Sequence, residues 1–309
     1  MDEEDHRKKY GLKTKYRFIE GGYGLYRNKF VYELSESIRE TNTMNEEEML
    51  KLRAFRAFLF ASVTLGEHLP LINYLNKNGV KFTKVCELLV EEGKKDPIFK
   101  NSVEWLIKQS VEEWYENPIS AENYVSDSKV KKSLLEEETF LKINTGFFAK
   151  ICLNQEQYNS YYKVLEKVLT KLFSKERMKI ISQMLILCKK RNYFMQSKNG
   201  NRSRFLSLKL LPETVKALES IGYINSKERI KNPGALNLEM DPVVADYCDK
   251  FIDDNPDMKI LLLSQTFMLQ TGKFLMSPAK IKERKVSTMA LKRDDVDKAD
   301  MEKHFKIIY

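Results

Sequence analysis

The residues able to do chemistry are scattered along the chain. Cys86, Cys152, Cys188 and Cys248 stand far apart, with no pair at metal-ligand or redox-motif spacing, and their apolar neighbours predict buried free thiols. His6, His68 and His304 form no H-x-x-x-H or H-E-x-x-H pair. There is no P-loop or nucleophile elbow. Gly21, Gly22 and Gly24 lack the strand-to-helix context of a dinucleotide loop and suit a turn. Glu46, Glu47 and Glu48 are accounted for by a helix N-terminus, where the dipole favours carboxylates. No local motif therefore predicts a catalytic set or a metal centre in this chain.

One stretch has the character of a polyanion contact. Residues 188–209, CKKRNYFMQSKNGNRSRFLSLK, contain no acid and interleave Tyr193, Phe194 and Phe205 with cations. Lys189, Lys190, Arg191, Arg202 and Arg204 are the candidate nucleic-acid contacts, because cations can meet phosphates while aromatics stack on bases. A solvated loop or hairpin tip at Asn199-Gly200, followed by a strand over 205–211, accounts for the same residues.

Met1 to Lys9 predict a charged lead-in that frays or packs as polar surface. Alternation over Lys13–Ile19, three glycines in Glu20–Gly24 and a returning run at Asn28–Leu34 predict a β-hairpin turning at the glycines. Thr43 to Glu46 has capping-box spacing. The helix that follows is expected to bury Met49, Leu52, Phe55, Leu59 and Val63 and to close at Gly66, with Arg53 and Arg56 pointing outward or finding partners. Helices are then predicted from Pro70, over Lys84–Glu92, from Asp96-Pro97 to Trp114, after Asn154, after Ser174, from Pro212 and from Asp241-Pro242. Ser120–Lys132 is expected as a connection and Asn144-Thr145-Gly146 as a break. Residues 259–263 and 273–276 fit either short strands or buried helix. The expected fold is mainly α, a multi-helix array with an N-terminal β-hairpin and a small β element near 203–211. It divides as 1–40 lead-in and hairpin, 41–118 helical subdomain, 119–276 second helical subdomain and 277–309 charged tail.

Tyr10-Gly11-Leu12-Lys13-Thr14-Lys15-Tyr16-Arg17, then Gly22-Tyr23-Gly24 before a strand carrying Glu33, then Thr41-Asn42-Thr43-Met44 leading into an arginine- and phenylalanine-bearing helix, form a pattern. It resembles the segment just after the catalytic barrel in cobalamin-dependent radical SAM proteins, over about residues 10–60. The resemblance implies a C-terminal module whose partner or remaining portion is a radical SAM core carrying a 4Fe-4S cluster, S-adenosylmethionine and cobalamin. It marks Arg17, Tyr23, Glu33, Thr41, Asn42 and Thr43 as candidate substrate or partner contacts. The C-x3-C-x2-C cysteines that hold such a cluster have no counterpart here, so no catalytic residue is carried over and no activity is expected of the chain alone.

The totals agree with a folded protein. Of 309 residues, 42% are hydrophobic and 31% charged with both signs mixed, which suits a packed core under a solvated helical surface. The formal charge of +9 favours an anionic partner. No apolar run reaches the length of a membrane span, no signal-peptide core is present, and a cytoplasmic location without membrane partners is expected.

Overall fold

The computed structural model describes residues 3–135, 143–224, 234–266, 269 and 272–279. The elements run α1 (Glu3–Tyr10), β1 (Lys13–Tyr26), β2 (Lys29–Glu40), α2 (Glu46–Leu59), a π-helical turn (Phe60–Thr64), α3 (Leu69–Lys77), α4 (Phe82–Gly93), α5 (Lys100–Glu112), α6 (Pro118–Ser126) and α7 (Ser128–Leu135). Then follow α8 (Ile143–Leu153), α9 (Gln155–Thr170), α10 (Lys175–Lys190), α11 (Tyr193–Lys198), β3 (Phe205–Lys209), α12 (Pro212–Ser220), β4 (Ala235–Glu239), α13 (Pro242–Asp254), α14 (Ile260–Gln265) and β5 (Ser277–Pro278). The fold is mainly α, as expected, but its β structure is more than a hairpin. The element near 205 is the edge of a three-stranded antiparallel sheet in the order β3-β4-β5. Of the tail expected over 277–309, Ser277–Pro278 form β5 of this sheet, and residues from 280 onward lie outside the described residues.

The N-terminal hairpin is longer than its alternation predicts and turns elsewhere. Its two-residue turn is Arg27-Asn28, with φ of 48° and 62°, the left-handed pair that a tight hairpin demands. The glycines instead mark a slip in register between Phe18 and Tyr23, where β1 bulges. The charged lead-in is helical. Arg7 of α1 holds Glu36 of β2 with two hydrogen bonds of 2.8 and 2.9 Å, and with Thr14 this keeps the Glu36 carboxyl down at about 2.

The hairpin rests on helix as well as on itself. Phe18 is buried with Ala121 and Val125 of α6, and its ring meets Tyr32 and Tyr115 edge-on at 5.3 Å each. Tyr16 and Tyr115 exchange two backbone hydrogen bonds of 2.8 Å, so part of the free edge of β1 is taken. The segment expected as a connection after Pro118 is α6 and α7. Asn117 supplies a reciprocal cap with Ser120, and Pro118 occupies the first turn.

The capping box of α2 is Asn45 with Glu48, two residues after the expected one, with both bonds at 2.9 Å. The buried face of α2 also differs from the expected stripe. Ala54, Ala57, Phe58 and then Ala61 face the core, while Leu52 and Val63 are exposed. Three alanines let neighbouring helices approach closely enough for Phe58 to meet Phe147 of α8 with 5.2 Å between ring centres. Asn144-Thr145-Gly146, expected as a break, lies inside α8, with Thr145 and Gly146 buried. Burial on all sides outweighs their weak helix propensity. Residues 260–265 are helical, and Leu275 forms a bridge with Asn192 before β5.

One buried apolar cluster takes side chains from Ala54 through Met276. Gly272, at φ +65°, crosses the end of the π turn so closely that a Cβ would stand 2.3 Å from the Leu65 carbonyl oxygen. Gly272→Ala is expected to lower unfolding free energy by roughly 2 kcal/mol or more, read as a lower urea midpoint at unchanged slope.

Candidate functional site

The π turn widens the end of α2 and aims two polar side chains inward. Leu65 N donates to Phe60 O at 2.9 Å, and the Glu67 and His68 amides reach back to Ala61 and Ser62 at 3.3 and 3.2 Å. Both Glu67 and His68 are wholly buried. The Glu67 carboxylate accepts from the hydroxyls of Tyr158 at 2.6 Å and Tyr162 at 2.7 Å, both on α9, and from Asn192 Nδ2 at 3.3 Å. Burial raises the Glu67 carboxyl, opposed by those hydrogen bonds and by the Arg191 charge. His68 Nδ1 shares a 3.0 Å bond with Ser62 Oγ, and burial, reinforced by Arg191, pushes the imidazole down to about 3. The arrangement can hold a neutral imidazole and a multiply hydrogen-bonded acid, and it ties the π turn to α9 and to Asn192, the cap of α11.

Arg191, a candidate nucleic-acid contact, belongs to this buried layer. Its Nε donates to Met276 O at 3.2 Å, and its guanidinium lies 5.6 Å from the centre of the Tyr223 ring. Around it Lys189 sits 5.9 Å from the Tyr162 ring, Lys190 is exposed, and Arg202 and Arg204 pair with Asp253 and Asp246 of α13. Tyr193 and Phe194 point into the core, and Phe205 is 69% exposed. The turn expected at Asn199-Gly200 is present, with Gly200 at φ +83°, and β3 follows; the residues before it form α11, capped by Asn192 through Met195 N at 3.1 Å.

A second cluster lies where the hairpin meets α2 and the end of α5. Lys15 and Arg17 share a face of β1 by two-residue alternation, and Arg39, left unpaired on β2 at the register shift between Lys13 and Thr14, meets the same Trp114 ring as Arg17. The Arg39 and Arg17 guanidinium carbons lie 4.3 and 5.4 Å from the centre of the Trp114 ring. Arg17 Nη1 stands 3.4 Å from Glu113 Oε2, while Arg53 Nη2 pairs with Glu113 Oε1. Burial raises the Glu113 carboxyl against the pull of Arg53 and Arg17. Arg53 is pushed down by burial and by the charges of Arg17, Arg39 and Arg56, with Glu113 opposing.

The six residues marked by the resemblance do not converge. Arg17 joins the cluster just described, whereas Tyr23 packs on the Phe18 side nearer the turn and Glu33 is exposed on β2. Thr41, Asn42 and Thr43 build the link to α2. Thr41 and Met44 form a bridge, Thr43 N donates to Thr41 Oγ1 at 3.2 Å, and Asn42 clasps the end of α1 through Tyr10 O at 2.9 Å and Lys9 O at 3.1 Å.

Neither a scan against protein-family models nor a search of curated proteins finds a match for this chain. The function is therefore argued from the geometry and the sequence pattern.

All four cysteines are buried and free, and burial drives the Cys86 and Cys188 thiols up to about 12. Among the described residues no group of three or more His, Cys, Asp or Glu is arranged to hold a metal ion. Among them, too, no helix is long and apolar enough to cross a membrane.

The Glu67 layer escapes sequence motifs because its partners come from three separate helical segments, although three tyrosines within five positions of α9 were a visible signal. The depressed His68 yields a test. Below pH 6.5 the unfolded chain gains a proton here that the folded chain refuses until about pH 3, so this contribution to stability is complete above 6.5 and is lost as pH falls. Between pH 6.5 and 5.0 the parent should lose about 2 kcal/mol relative to His68→Gln in urea unfolding. A constant difference would mean that His68 takes up its proton as readily in the folded chain as in the unfolded one, which would overturn this reading.

Proposed function

We propose that this chain is an interaction module, non-catalytic by itself, that docks through its hairpin on a radical SAM core and helps to enclose substrate there. The cluster, S-adenosylmethionine and cobalamin would belong to that core. The observation that carries the reading is the hairpin. Its base is fixed by α1, α6 and Tyr115, while the strand ends beside the turn carry Leu25 and Tyr26, each 61% exposed, with Val31 at 46%. The outer edge of β2 makes no backbone hydrogen bond with another described element. Such an edge beside exposed apolar side chains suits addition to a partner's sheet.

The nucleic-acid reading draws less support. Two of its five cations are answered by aspartates and a third is buried. If it held, binding would weaken steeply with salt and depend on Lys189 and Lys190.

The docking reading is tested by tagging the chain at native expression in its source organism and identifying what co-purifies. A protein carrying the C-x3-C-x2-C motif should accompany the parent chain. It should be lost from a Leu25→Ser, Tyr26→Ser, Val31→Lys variant whose thermal unfolding matches the parent's. Recovery of the parent chain with no such protein would overturn the proposal.

A further inference from the structure

We propose that Arg17, Arg39, Arg53 and the indole N–H of Trp114 form a binding site for a phosphate group, entered past Arg17. The inference stands apart from docking, since it concerns the hairpin–helix junction and needs no partner protein.

Three observations carry it. The first is convergence: two guanidinia lie against one indole, and Arg17 and Arg53 share Glu113. The second is an imbalance of charge. Glu113 is the carboxylate common to Arg17 and Arg53. Lys15 is answered at 2.9 Å by both Glu116 and Glu46, and Glu46 stands 3.7 Å from Arg39 Nε, beyond hydrogen-bond length, so three carboxylates face the four cations Lys15, Arg17, Arg39 and Arg53. The third is an excess of buried donors without acceptors: Nε of Arg17, Nε and Nη2 of Arg39, Nε of Arg53 and Nε1 of Trp114, five donors against one buried acceptor, Glu113 Oε1, that also lacks a hydrogen bond. Arg39 is 5% exposed, so its guanidinium is held away from solvent in a cluster already rich in cations.

Buried donors in a folded protein are ordinarily met, and one left unmet carries the full cost of its desolvation. An oxyanion placed among them would meet them and offset the excess charge at once. The number of donors favours phosphate over carboxylate. A carboxylate presents about four lone-pair sites on two oxygens, whereas a phosphate monoester presents three strongly accepting oxygens and up to two charges. Arginine forks suit either shape, but only the tetrahedral group spreads acceptors toward donors arriving from two strands, α2 and the end of α5. Access is set by exposure: the Arg17 side chain is 40% exposed, while those of Arg53 and Arg39 are 17% and 6%.

The test is calorimetric titration of the full chain with inorganic phosphate, with glycerol phosphate and with acetate, at ionic strength held constant with sodium chloride. Saturable binding of phosphate, glycerol phosphate or both, without binding of acetate over the same range, is the expected result, and it tells free phosphate from an ester. Arg17→Gln, which alters the most exposed member and should fold, is expected to weaken binding by about tenfold or more. Arg202→Gln, on the far basic stretch, should leave it unchanged. Arg39→Lys provides a second measure through loss of the forked geometry, read as a smaller rise in thermal midpoint on adding phosphate. Binding of acetate equal to that of phosphate, no saturable binding, or equal affinity in parent and Arg17→Gln would overturn the site.

Discussion

A carboxylate cannot sit at the centre of a helical core without donors, and much of the architecture follows from meeting that demand for Glu67. The residue is fully buried, and its hydroxyl and amide partners lie 91 to 125 positions away in the chain. To deliver it, α2 must open its last turn from α to π spacing, and Gly66 must follow in the left-handed region at φ +79°. To receive it, α9 must spend two tyrosine hydroxyls that would otherwise need partners of their own. Replacing such a network with apolar groups can be neutral, whereas removing one member leaves a charge or donor stranded. The layer therefore fixes which helices meet and in what register.

The same helix carries the second polar demand at its other face. From Asn45 to Leu65 the chain faces the core through alanines and Phe58, while Arg53 turns toward the hairpin. The arginines of β1 and β2 are consequently pressed against Trp114 and one glutamate. Apolar and cationic functions are separated around one helix, which is why a face predicted from the larger side chains was misplaced. Alanines are poor markers of hydrophobic periodicity but good markers of close helix contact.

What was legible in the sequence was local. Pro70, Asn154, Pro212 and Asp241-Pro242 open helices as their chemistry demands, because a cap or a first-turn proline acts on amides within three residues. Near the N-terminus two local signals compete. Thr43 to Glu46 and Asn45 to Glu48 have the same spacing, and the bridge between Thr41 and Met44 uses up the first. The glycines of β1 looked like a turn, yet a turn can be made by Arg27-Asn28 and the glycines spent on a bulge. Neither polar cluster was legible, because each gathers residues from distant elements. Arg17 and Glu113 are 96 positions apart.

The contrast between the two clusters bears on function. Around Glu67 the tyrosine and asparagine partners, and His68 beside it, are all buried, a setting that specifies packing. At the hairpin junction donors outnumber acceptors and one arginine reaches solvent, so the imbalance is the kind an external anion can relieve. The hairpin that supplies Arg17 and Arg39 also carries the exposed apolar strand ends beside its turn. Anything seated along β2 would lie on the same two strands that hold the arginines. Both surfaces thus belong to one hairpin, whose base is anchored by Phe18, Arg7 and Tyr115.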